Sequence, residues 1–140
     1  MTHTSLHTAR LAAIVALLAG ANAHAARPAN LAGTTWTARI DNGTEQLVIQ
    51  RQGGPGTAGG PDCLMVEGTI GPAPVRGWYC PATGRLHLRH SNMATGVTVR
   101  VIDAHVSTEV TGQPLYLGGT VAVDDAAFGA LGVYNFSAVK

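Results

Sequence analysis

Past Pro28 the chain alternates apolar and polar residues in short runs, and turn residues interrupt those runs at regular intervals. About eight such runs stand out, near 33–41, 44–51, 62–71, 73–80, 84–91, 96–106, 114–124 and 130–139. Val, Ile, Thr and aromatic residues dominate them, and a period of two over four to eight residues marks a half-buried strand. The only helical candidate, 124–131, is short and broken by Gly129. The pattern predicts an all-β domain, an antiparallel up-and-down barrel of about eight strands, with a sandwich as the alternative. Residues 53–61, rich in Gly and Pro, read as a flexible loop.

Three turns fix local register. Asn42-Gly43 lies between two alternating runs, a strong hairpin signal. Pairing about that dipeptide sets Trp36 opposite Ile49 and Ala38 opposite Leu47, all on one buried face. Pro81-Ala82-Thr83-Gly84 forms a second turn, with Gly suited to its left-handed end. A hairpin centred between Gly71 and Pro72 brings Cys63 opposite Cys80, Met65 opposite Trp78 and Glu67 opposite Arg76. These are favourable cross-strand pairs, and a slip of one residue destroys all of them together. The opposite face then carries Leu64, Val66 and Ile70 against Val75 and Tyr79. Leu86 and Leu88 continue it, and His90 follows inward.

The N-terminus changes the compartment. A segment with Arg10 and no acidic residue precedes the apolar stretch 11–20, after which Ala23-His24-Ala25 fits small-x-small cleavage. The reading is a signal peptide over 1–25 and a mature barrel over 26–140, periplasmic or secreted. The apolar stretch is too short to cross a bilayer. In an oxidising compartment Cys63 and Cys80 pair, closing a loop worth about 3 kcal/mol in the chain-entropy model.

Composition narrows the partners. Lys and Arg number eight once Arg10 is removed, against eight Asp and Glu. A chain this close to neutral offers no concentrated basic face for nucleic acid or anionic lipid. Its 12% charged content is compatible with self-association.

Candidate chemistry is sparse. Past the leader only His87, His90 and His105 remain, and the first two fall on opposite strand faces, so they do not converge on a metal. His105 shares a face with Asp103. No Gly-x-Ser-x-Gly turn, free Cys or P-loop lysine is present, and Asp124-Asp125 reads as a solvated turn. The sequence implies neither a catalytic residue nor a cofactor. Trp36, Tyr79, Tyr134 and Phe136 have inward assignments, and closure of first strand on last groups Trp36 with Tyr134 and Phe136.

Gly33-Thr34-Thr35-Trp36 resembles the Gly-x-Trp opening of avidins and lipocalins, one residue longer. Gly132-Val133-Tyr134-Asn135-Phe136 is similar to the closing strand of avidins. The resemblance covers the two terminal strands and implies a barrel. It does not carry over the biotin site, since Tyr134 stands at the Asp position and no Trp follows Trp78.

Two functions follow as expectations. One is an exported, non-enzymatic barrel acting on a protein partner, as an inhibitor or assembly partner, through Met65, Trp78 and the 53–61 loop. The alternative is a small-ligand barrel binding through Trp36, Tyr79, His90, Tyr134 and Phe136. An open cavity favours the second, a filled barrel with an exposed apolar patch the first.

Overall fold

The computed structural model describes residues 26–41, 43–55, 59–92, 94, 98–125 and 130–140. Eight strands succeed one another along the chain: β1 (Thr34–Ile40), β2 (Gly43–Pro55), β3 (Leu64–Ile70), β4 (Ala73–Cys80), β5 (Arg85–Ser91), β6 (Thr98–Val106), β7 (Tyr116–Asp125) and β8 (Ala130–Val139). Each pairs antiparallel with the next, and β8 returns to β1 to close the barrel. Closure leaves no unpaired edge. The architecture is compatible with a calycin-like fold. The middle of the helical candidate, 126–129, lies outside the described residues, and its ends belong to β7 and β8.

The hairpin at Gly71-Pro72 has the register expected from its cross-strand pairs. Met65 pairs with Trp78 and Glu67 with Arg76, and Cys63 and Cys80 are joined by a disulfide across a Cα separation of 4.1 Å. Glu67 sits between Arg51 and Arg76, at 2.5 and 3.4 Å. With both arginines largely exposed, this charge cluster contributes less than about 1 kcal/mol per pair. The next turn also agrees with the sequence. Gly84 has φ 75° and its N–H donates to the Cys80 carbonyl at 2.7 Å, so Tyr79 meets Leu86 and Gly77 meets Leu88.

Three expectations need correction. Trp36 pairs with Leu47 and Ala38 with Glu45, not with Ile49 and Leu47. The ladder ends at the Ile40–Gly43 pair, and Asp41 takes the left-handed conformation at φ 50°. Asp tolerates that conformation better than most residues because its short side chain bonds locally. The slip is of two residues, so every side chain keeps its face.

Second, β2 runs beyond 51 into the Gly-rich segment, where Gly53 pairs with Met65 and Pro55 with Leu64. Register shifts between Ile49 and Arg51 and between Gly53 and Pro55 absorb the extra residues, as β-bulges do. Third, Trp36 and Tyr134 do not meet. On β8 the partner of Ile40 is Phe136 and that of Ala38 is Ala138, so Tyr134 lies beyond the end of β1. Strand stagger, required for closing any barrel, places Trp36 and Tyr134 about 20 Å apart along the strand direction.

The core is uneven along the barrel axis. At the end where β1 begins, the segment 26–33 crosses the opening, with Leu31 fully buried. Gln52 pins it, accepting from the Leu31 N–H at 2.8 Å and donating to the Ala29 carbonyl at 2.9 Å. The Glu109 N–H adds a bond to the Ala26 carbonyl at 2.8 Å. Thr34 donates its hydroxyl to the Leu31 carbonyl at 2.6 Å and accepts from the Trp36 indole at 2.8 Å. That end is plugged by the chain itself.

Candidate functional site

At the other end the described residues enclose a cavity of about 500 Å³, in the size range of small-molecule pockets. Every strand contributes to its lining, β6 through both Val99 and Arg100. Ile40, Ile70, Ala73 and Val123 supply apolar wall, with Val99 and Pro72 beside them. Glu45, His90, Arg100 and Tyr134 supply the polar groups, and Asp41 stands at the rim.

The polar groups are organised by one contact. Arg100 reaches from β6 to Glu45 on β2, its Nη1 lying 3.1 and 3.2 Å from the two carboxylate oxygens. In a ring of eight strands β2 and β6 are opposite one another, four steps apart either way. The ion pair therefore spans the mouth as a crossbar. Its side chains are 28% and 30% exposed. His90 is fixed too: its Nδ1 lies 2.8 Å from the Pro74 carbonyl. A carbonyl only accepts, so Nδ1 is the donor in this bond.

The five residues expected to bind are thus divided. His90 and Tyr134 line the mouth. Trp36, Tyr79 and Phe136 are core, at 0, 0 and 2% exposure, with the first two toward the plugged end. Tyr79 donates its hydroxyl to the Pro28 carbonyl at 2.7 Å. Burial pushes its pKa up to about 12 from 10.0; nearby Arg27 opposes that rise and Glu109 adds to it.

This shift gives a pH dependence. The folded-state value lies above the unfolded one, so the contribution is whole below pH 10.0 and is lost as the pH rises through about 12. A shift of this size corresponds to about 2–3 kcal/mol. Tyr79→Phe is expected to cost about 1–3 kcal/mol at pH 7, by leaving the Pro28 carbonyl without its partner. It should also flatten the fall in stability between pH 10 and 12 relative to wild type. Urea midpoints across that range check it, and parallel curves for the two proteins would refute the assignment.

On the outer face lie the two residues expected to make protein contacts. Met65 is 38% exposed. Trp78 is partly covered: His87 stacks on it with ring centroids 5.3 Å apart, and the Arg85 guanidinium lies 5.3 Å from its centroid. Gly59 presses on it as well, since a Cβ there would come within 2.7 Å of the indole. His87 also bonds Asp103 at 2.8 Å, so Asp103 engages the neighbouring strand instead of His105.

Sequence reading passed over Glu45 and Arg100. Their signal was present: Glu45 is in phase with Leu47 and Ile49, and Arg100 with Ile102 and Ala104, so each is a charge on the inward face. No described group of three or more His, Cys, Asp or Glu converges as for a metal ion, and no described helix is long and apolar enough to cross a membrane. Comparison with protein-family models, with curated proteins and with solved structures gives no match.

Proposed function

We propose that this chain is an exported, non-enzymatic barrel that holds a small molecule in its mouth. The observation that carries the reading is the cavity of about 500 Å³, apolar in most of its wall, where charged and polar side chains from different strands converge. That combination characterises ligand sites: apolar surface supplies affinity and a few fixed polar groups supply orientation. The opposite end supports it, since a barrel stopped there by segment 26–33 is a cup and not a channel. The apolar run at 11–20 and the Cys63–Cys80 disulfide are compatible with export.

A protein-partner role has one observation in its favour. Leu131 and Val133, on the outer face of β8, are 63% and 70% exposed. Isolated apolar residues at a surface are common, so this carries less weight than the cavity.

Native mass spectrometry of the mature protein, recovered from the compartment to which its own cells export it, separates the two. The expected result is an adduct of a few hundred daltons, absent from an Ala73→Trp variant whose indole fills the mouth. A bare chain, or one carrying a second protein, would count against a ligand carrier.

A further inference from the structure

We infer that the mouth is built for a zwitterion, a small aminocarboxylic acid bearing an apolar group. This rests on the ligand-binding reading above and specifies its chemistry. Glu45 and Arg100 both line the cavity and bond to one another across it, so a ligand that inserts between them parts the pair.

What parts the pair must also replace it. Both side chains are more than two-thirds buried, and a partly buried charge stripped of its partner is unfavourable. An anionic ligand would satisfy Arg100 while leaving Glu45 unpaired and facing a second negative charge. A cationic ligand would do the reverse to Arg100. A neutral ligand would strand both. Only a molecule with both charges substitutes contact for contact, its carboxylate on the Arg100 guanidinium and its ammonium on the Glu45 carboxylate.

The surroundings match this polarity. Asp41 belongs to the same hairpin as Glu45 and adds negative charge on that side of the mouth. His90, with Nδ1 committed to Pro74, lines the same mouth. Ile70, Val99 and Val123 give an apolar group its surface. Glu45 and Arg100 are long side chains on opposite strands, and parting them requires rotamer changes without movement of the ladder.

The test is a titration of the full mature protein with L-phenylalanine, 3-phenylpropanoate and 2-phenylethylamine, which share the ring and differ in charge. Phenylalanine is expected to bind at least about tenfold more tightly than either analogue. Glu45→Gln should narrow the gap to 3-phenylpropanoate, and Arg100→Gln the gap to 2-phenylethylamine. If those variants do not fold, the wild-type series decides alone. Equal or tighter binding of a singly charged analogue overturns the zwitterion and leaves the mouth a ligand site. Failure of all three probes, with an adduct still present in the native mass spectrum, does the same. Failure of the probes with no adduct overturns both readings.

Discussion

Trp36→Ala is expected to lower the unfolding free energy by about 3–5 kcal/mol, the range for removing a large buried aromatic from a packed core. Trp36 has no exposed surface, and it belongs to the buried cluster that includes Leu31, Leu47 and Ile49. Leu31, in the same buried cluster, is held in place by Gln52 and Thr34. Against a typical total of about 5–15 kcal/mol, the loss threatens the fold. Trp36→Phe keeps most of the ring and loses the indole bond to Thr34, so about 1–2 kcal/mol is expected. Urea unfolding followed by far-ultraviolet circular dichroism checks both, since tryptophan fluorescence changes with the substitution. Because Trp36 is toward the plugged end, the Phe variant should keep any adduct held in the mouth. A cost below about 1 kcal/mol for the Ala variant would show that the indole does not carry the core.

Gly77→Ala is expected to cost about 3 kcal/mol or more, at or above the upper end of ordinary overpacking. A Cβ at Gly77 would lie 1.7 Å from the His87 carbonyl oxygen and 2.9 Å from the Leu88 Cα. Both obstacles are backbone of β5, the strand to which Gly77 is paired, so relief requires breaking the β4–β5 ladder. Gly68 and Gly119 repeat the situation, with added Cβ atoms 1.9 and 2.0 Å from the Val48 and Asp103 carbonyl oxygens. These inward glycines mark close approaches between strands, a usual device where a sheet bends to close. Gly118→Ala is the control, because an added Cβ there meets nothing within 4 Å. It should change stability by less than about 0.5 kcal/mol, or raise it slightly by restricting the unfolded chain. Similar urea midpoints for the two variants would overturn the close-packing argument.

The candidate site was only half legible, and the missing half is instructive. His90 and Tyr134 could be assigned inward from alternation alone, and they line the mouth. Glu45 and Arg100 could be assigned inward by the same rule. Their meeting could not be foreseen, because 55 residues separate them and their strands are not neighbours in the ladder. Grouping Trp36 with Tyr134 failed for a related reason. Alternation says which face a residue occupies but not how far along the axis it sits.

By itself the sequence determined what depends on a period of two and on short loops. It specified eight strands and the face of each, the pairing across Gly71-Pro72, the meeting of Cys63 with Cys80 and the continuation through Gly84. A one-residue slip there would exchange core for solvent, and the apolar pattern forbids it. Tertiary structure decided whatever a two-residue slip leaves unchanged. The β1–β2 register falls in that class, since moving Trp36 from Ile49 to Leu47 keeps every face intact. Stagger at the β8–β1 closure falls there too, and it separates the plugged end from the end that holds the cavity. The crossbar of Glu45 and Arg100 follows from closure itself, because only a closed ring sets β2 opposite β6.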